Sequence, residues 1–531
     1  MHQFNPIDAA LLFLERSRTP FHVSTISIYD PSSCPGNPPG FDDIVDAVRK
    51  CLPAVEQFRR KIVRVPFDVD YPYWVEDKDF DLEFHMRHTA LPRPGNWKQF
   101  RTTVGRLIAR PLDLSRSPWE MWVIEGLDNL EGLPPGCFAT VLKVHHCAID
   151  GKTGVALINA IHQDSPHKQL PELPDDWGPE RRPNQRDLMR LAAINGFRRP
   201  WAILRLMLSN ARALVNSAFA ELRSDDDDEE QLVAPDTLLN GTISSHRILE
   251  FVVCPLEDIK RVRRAVEGAT VNDVCLTVVA EAMRRYLESK NGLPAESLVT
   301  VVPISTRSPD DAGGGGNQIA ITRVSLHTTI SDPLERLAAI AADTREKKAM
   351  QEGVVMNVLL GVVHSLPGAL VGAAARAMPM MVSMSNTFCN TMVTNVPGPM
   401  QPIYFLGARA VHMFGSPPLM DGAAMLHCVG SYNGEFMFQF TACPDLLPDW
   451  EFYRECIEAA VRDVIAAVDQ PKTISGKATA KTVKAAANKV SRSAAKKKQA
   501  SGSSPKPKPK PKKAAQSTPR RKKASGRAAK R

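Results

Sequence analysis

Phe138-Ala-Thr-Val-Leu-Lys-Val-His-His-Cys-Ala-Ile-Asp-Gly151 is an apolar run that ends on two histidines and closes with Asp-Gly. Its β-branched and aromatic content predicts a strand over 138–146, followed by a helix over 152–162. Alternation places Phe138, Thr140, Leu142, Val144 and His146 on one side, and Ala139, Val141, Lys143 and His145 on the other. His146 therefore shares the more apolar face. An imidazole held there is suited to act as a general base, because desolvation opposes its protonation until substrate arrives. Asp150 lies beyond the strand, placed to hold the turn or to pair with a buried arginine, and Gly151 lets the backbone turn tightly into the next helix. Taken alone, a histidine pair at a strand end is more often structural than catalytic. A metal site is a weaker reading, since adjacent strand histidines point to opposite faces and no third clustered ligand accompanies them. Cys147 as a nucleophile has no local signature to support it.

Working outward, the chain reads as two mixed α/β halves. Residues 1–183 form the first, with a strand over His22–Tyr29 and a helix over Phe41–Cys51; residues 166–183 are rich in proline and charge. Residues 184–236 read as a helical linker, Asp187–Leu222, followed by the acidic run Asp225–Glu230, which like-charge repulsion keeps solvated. The second half, 237–470, carries strand signals at Arg247–Cys254, Leu298–Ile304, Ile319–Leu326 and Thr387–Val396, and a helix at Val271–Glu288. Its end holds a hairpin signal, Met425–Tyr432 and Glu435–Thr441 around Asn433-Gly434.

The charge of the whole chain is misleading. Lys and Arg total 67 against 58 Asp and Glu, a net of +9, yet residues 471–531 carry 21 Lys and Arg and no acid. Residues 1–470 therefore hold 46 cations against 58 anions, a net of −12. The tail cannot bury a core and is expected to be disordered. Its cations fit tethering to an anionic membrane or a lipid-droplet surface. The rival partner is nucleic acid; with no aromatic residue to stack on bases, such binding would be weak and unspecific.

Ten scattered cysteines without a C-x-x-C pair predict reduced thiols in a cytoplasmic setting. The start of the chain lacks a basic segment before Ala9–Leu14, which argues against a signal peptide. Gly353–Ala375 has 23 residues without a formal charge, but Asn357, His364, Ser365, Pro367 and four glycines argue against a membrane span. It reads instead as two short apolar helices broken at Pro367, buried or dipping into a lipid interface.

Context decides between the catalytic and structural readings of the histidines. Pro111-Leu-Asp-Leu-Ser-Arg-Ser-Pro-Trp-Glu120, Ile124-Glu-Gly126 and Lys143–Gly151 follow one another, preceded by Asp8-Ala9, Leu12–Glu15, Pro20–Val23, Asp79–Leu82 and His85. The second half adds Val271–Val274, Val302–Ser305 with Arg307, Gly316-Asn317, Thr394–Pro399 and Ser431–Gly434. In residues and order, this set resembles the bacterial wax ester synthase/acyl-CoA:diacylglycerol acyltransferase family over roughly residues 4–465.

The resemblance implies a coenzyme A-dependent acyltransferase fold, shared with peptide-synthetase condensation domains: two similar α/β domains with a tunnel between them. It implies transfer of a long-chain acyl group from acyl-CoA to diacylglycerol or a long-chain alcohol, with no cofactor and no metal. The family's general base maps to His146; His145 supports it, and Asp150 acts mainly structurally. Asn272 and Asp273 become candidates for shaping the site, although Thr270-x-x-Asp273 also reads as a capping box. Arg307 is a candidate partner for a buried aspartate, and Thr394 and Asn395 are candidates near the strand exit, Thr394 for oxyanion stabilisation. Departures are small: Ser117-Pro118 replaces the common Pro-Leu, and Thr394 stands where Ser is commoner. A carrier-protein-dependent condensation or polyketide-associated acyltransferase is the alternative within the fold. Outside it, the rival is a nucleic-acid-binding protein acting through its tail.

Overall fold

A computed structural model describes residues 1–149, 158–168, 170, 183–209, 232–305, 319–351, 366–384 and 387–469. The candidates Asp150, Gly151 and Arg307, the acidic run, the basic tail and most of Gly353–Ala375 lie outside these residues.

The strands in chain order are β1 His2–Gln3, β2 His22–Asp30, β3 Arg60–Val63, β4 Tyr73–Glu76, β5 Met86–Ala90, β6 Trp119–Glu125 and β7 Phe138–His145. The second half supplies β8 Ile248–Pro255, β9 Val299–Ser305, β10 Ile319–Ser325, β11 Thr391–Pro397, β12 Tyr404–Phe405, β13 Ala408–Ser416, β14 Met425–Tyr432 and β15 Glu435–Ala442. The described helices are α1 Pro6–Leu14, α2 Phe41–Cys51, α3 Leu82–His85, α4 Trp97–Ile108, α5 Gln185–Ser209, α6 Leu256–Ala265, α7 Val271–Ser289, α8 Pro333–Gln351, α9 Gly368–Met384 and α10 Trp450–Asp469.

Two six-stranded sheets carry the fold, in the orders β12-β13-β2-β7-β6-β5 and β10-β9-β11-β14-β15-β8, and β1-β4-β3 form a small third sheet. Each large sheet has its own apolar core, one built on α2, α4 and the β7 strand, the other on α7 and α10. The linear division at residue 237 does not separate the sheets. β12 and β13 come from beyond residue 400, yet β13 pairs antiparallel with β2, from Arg409 opposite Asp30 to Ser416 opposite Ser24. The sequence gives no warning of this exchange, because edge addition leaves no local signature.

β7 also departs from the alternating pattern. All eight of its residues are buried, so it has no solvent face and Lys143 is enclosed. Burial lowers the Lys143 pKa, while its Nζ donates to Glu120 Oε1 at 2.6 Å and to the Arg110 carbonyl at 2.7 Å. A strand covered on both faces tolerates such a cation only when it is paired. His146 leaves the strand altogether and opens a short 3₁₀ turn, His146–Ala148.

No described helix is long and apolar enough to cross a membrane. The helix expected after Pro367 is α9, which packs against α1.

Candidate active site

The end of β7 is held from three directions. Its partner is β2, with His22 opposite His145. The His145 peptide N–H donates to the Pro118 carbonyl and the His146 N–H to the Phe21 carbonyl, both at 2.9 Å. Asn5 caps α1 by accepting from the Asp8 N–H at 2.7 Å, and α1 packs on the 3₁₀ turn. Helix α1 ends at Glu15, whose extended backbone turns its carboxylate toward the histidines.

That carboxylate fixes His145. Glu15 Oε2 lies 2.6 Å from His145 Nε2, and the Cys147 peptide N–H donates to His145 Nδ1 at 3.2 Å. With Nδ1 accepting, the proton sits on Nε2 and points at Glu15. Both ring nitrogens of His145 are thus committed, and its side chain is fully enclosed.

His146 differs. The residue is half-buried rather than enclosed, and its ring lies tilted against Phe21 with centroids 6.4 Å apart. Burial lowers its pKa below 6.5, and the neighbouring His145 lowers it further. The imidazole is therefore deprotonated at neutral pH, the state a proton acceptor needs.

The surroundings of Cys147 argue against the nucleophile reading, although its Sγ lies 2.9 Å from His145 Nδ1. Burial pushes its thiol well above the ordinary value, and the carboxylates of Asp8 and Glu15 add to the effect. A reactive thiolate needs the opposite surroundings.

The remaining described candidates, Asn272, Asp273, Thr394 and Asn395, lie on α7 and β11. Asp273 is buried at the start of α7, where its Oδ2 accepts from the Thr270 N–H at 2.7 Å and the Thr270 hydroxyl at 2.8 Å. Its Oδ1 accepts from the Thr344 hydroxyl at 2.7 Å. These bonds are a capping box tied to α8, so Asp273 is structural and Asn272 is the helical residue before it. Thr394 and Asn395 lie on β11 opposite Cys428 and Val429 of β14. Beyond them Gly398 N–H donates to the Ser431 carbonyl at 2.9 Å, and a side chain at Gly398 would meet that oxygen at 2.5 Å. The Asn-Val-Pro-Gly-Pro stretch thereby fixes the strand exit.

Sequence reasoning missed Glu15, Phe21 and Pro118 as supports of the site. All three lie in motif stretches, and Glu15, a carboxylate directly after an apolar helix, was the available signal. Trp119 and His85 prove to be framework. Their rings stack 4.6 Å apart, His85 Nδ1 bonds the Trp119 carbonyl at 2.7 Å, and Trp119 Nε1 donates to the Phe58 carbonyl at 2.8 Å.

A cavity of about 660 Å³ opens between α4 and the start of β8, lined by Lys98, Arg101, Arg106, Arg110 and Arg247 among others. It does not include His146, but it shares Arg110, whose carbonyl holds Lys143. Gly105 brings the walls together, since a side chain there would meet the Arg247 carbonyl at 2.5 Å.

Comparison with known proteins now bears on this arrangement. Residues 4–275 match the wax ester synthase/diacylglycerol acyltransferase catalytic domain, and 315–464 match the C-terminal domain of the same family. The chain belongs to this family. A Mycobacterium tuberculosis protein provisionally named a diacylglycerol O-acyltransferase is 30% identical over 476 residues, covering 89% of this chain and 92% of that protein. Another from the same species is 30% identical over 453 residues, 82% of this chain and 91% of its own length.

The wax ester synthase/diacylglycerol acyltransferase from Marinobacter aquaeolei VT8 superposes with a TM-score of 0.61 at 24% identity, covering 88% of this chain and 100% of that one. The first condensation domain of the calcium-dependent antibiotic synthetase follows at 0.52 and 15%, covering 88% and 96%. At these identities the structural likenesses speak for the fold, which is the acyltransferase fold shared with condensation domains. Family membership makes the chain an acyl-CoA-dependent acyltransferase of lipid synthesis. It does not favour the carrier-protein or nucleic-acid alternatives.

Proposed function

We propose that this acyltransferase moves a long-chain acyl group from acyl-CoA to the free hydroxyl of diacylglycerol, with long-chain alcohols as a second acceptor. His146 is the general base. The observation that carries this reading is the arrangement of the pair at the end of β7: His145 is fully enclosed with its Nε2 on Glu15, while the half-buried His146 beside it has a pKa lowered by burial.

As the acceptor oxygen attacks the thioester carbonyl, the His146 imidazole takes the hydroxyl proton. The tetrahedral intermediate then collapses, the C–S bond breaks, and the imidazolium returns its proton to the departing thiolate. No acyl-enzyme forms. A thiol pKa of roughly 8.5 makes the thiolate a good leaving group, so late proton return suffices. In this proposal the substrates reach His146 through a tunnel between the two sheet-bearing halves. The cations of the cavity beside α4 offer the chemistry that the phosphates of coenzyme A require. The enzyme works at a membrane or lipid-droplet surface, where its acceptor resides, and the basic tail adds attraction to anionic lipid.

Product analysis tests the reading. Purified protein given palmitoyl-coenzyme A with dioleoylglycerol or hexadecanol in parallel is expected to form triacylglycerol faster than wax ester. Absence of both products would refute it.

A further inference from the structure

The tail and the apolar segment before α9 are where the sequence places lipid contact. The folded surface carries a different feature. Helix α5 packs one face on the small sheet: Leu188 joins Val63, Val65, Tyr73 and Val75 in a cluster. Asp70 anchors the same face, accepting from Asn195 Nδ2 at 2.8 Å and from Arg199 at 2.6 Å. At about 100° per residue, Ile194, Phe197, Trp201, Leu204 and Leu208 fall within roughly 80° of one another on the opposite side.

That outer stripe is bare. Phe197 is 80% exposed, Trp201 73% and Leu208 68%, over about 21 Å of helix axis at 1.5 Å per residue. The inner contacts already hold α5 in place, so the stripe is not needed to attach the helix. Scattered apolar side chains on a surface need no explanation, but a continuous row at helical spacing does.

Two further observations specify what covers it. Arg198 and Arg205 border the stripe, Arg190 lies at its start, and none of the three has a carboxylate partner among the described residues. Nearby, the turn Pro66–Asp68 touches both α5 and α9. At its tip, Phe67 is 92% exposed with φ of 58°, a backbone region a bulky residue adopts only when surroundings impose it. Leu370 at the start of α9 is exposed as well. A row of Phe, Trp and Leu edged by arginines, with an aromatic tip beside it, matches a lipid interface: the rings enter the acyl boundary while the guanidinium groups meet anionic headgroups.

We infer that the outer face of α5, with Phe67 beside it, is the surface by which this enzyme docks on an anionic lipid layer. The inference deepens the lipid-interface reading above and rests on it. It moves the principal contact from the basic tail to the folded body.

The test uses the full chain and vesicles of phosphatidylcholine with one-fifth phosphatidylglycerol. Partition is measured by flotation at 0.5 M salt, where tail electrostatics are screened and apolar insertion persists. Phe197→Glu/Trp201→Glu is expected to weaken partition at least tenfold, while turnover on a water-soluble short-chain alcohol stays within twofold of wild type. Arg198→Glu/Arg205→Glu is expected to weaken partition mainly at low salt.

Undiminished partition of the Phe197→Glu/Trp201→Glu protein would overturn the inference. So would loss of a wild-type dimer in that variant with vesicle binding intact, since the stripe would then be covered by a second copy. Failure of wild type to transfer acyl groups to any acceptor would instead strike the functional reading, so the two failures are distinguishable.

Discussion

His427, inside a strand of one large sheet, and His146, just past the end of a strand of the other, behave differently. His427 on β14 is enclosed, with Nδ1 2.9 Å from the Thr391 hydroxyl and Nε2 2.8 Å from the Tyr453 hydroxyl. Burial pushes its pKa down to about 3. Just past the end of β7, the His146 pKa is also lowered by burial, but the residue as a whole is only half-buried. A lowered pKa therefore does not mark a catalytic base by itself. What separates the two is position: one is locked inside a strand pair, the other is released into a turn whose backbone is clamped by its neighbours.

The comparison can be broken at several points. The largest effect is expected from His146→Ala, which should lower kcat by about 10³-fold, the usual worth of a general base. Its unfolding midpoint should stay near that of wild type.

Glu15→Ala comes next. With the His145 Nε2–H left without its carboxylate, transfer should fall about tenfold and stability by ~1–3 kcal/mol, as unsatisfied buried donors cost. Glu15→Gln, which can still accept from that N–H, should restore most of the rate. An equal loss in both variants would show that charge, rather than positioning, is what Glu15 supplies.

His427→Phe should invert the pattern, keeping most of the activity and losing ~2–3 kcal/mol through the stranded Tyr453 hydroxyl. It should also flatten the acid limb of stability. His427 has a folded pKa of about 3 against an ordinary 6.5, so its contribution is present above 6.5 and lost as pH falls toward 3. Thermal melts at pH 7 and pH 5 on both proteins measure this.

The smallest effect is a displacement of the activity profile. Because His146 must be deprotonated and its pKa is lowered, kcat/KM should fall with acidification only below pH 6.5 and be level through neutrality. A limb centred above 6.5 would point to a different group.

Local structure was largely legible in the sequence. The helix Phe41–Cys51 and the hairpin around Asn433-Gly434 appear with nearly the expected bounds, because capping, apolar period and turn chemistry are all local signals. The motif order likewise pointed to the family now matched. What was not legible is tertiary. The β13–β2 pairing joins segments almost 400 residues apart, the burial of both β7 faces depends on what packs over them, and Glu15 reaches His145 across 130 residues. The pattern of α5 was visible as a helix, but which side faced outward depended on Asp70 holding Asn195 and Arg199. Asp273 shows the converse: its capping-box spacing was a local signal, and the box is present at the start of α7.

The central claim, that His146 and not its buried counterpart moves the proton, is tested most directly by one paired assay. His146→Ala and His427→Phe are compared with wild type for triacylglycerol formation from palmitoyl-coenzyme A and dioleoylglycerol, alongside their thermal midpoints. The expected result is loss of product with an unchanged midpoint for the first and a lowered midpoint with product retained for the second. A folded His146→Ala protein that keeps more than a tenth of the wild-type rate would contradict the account.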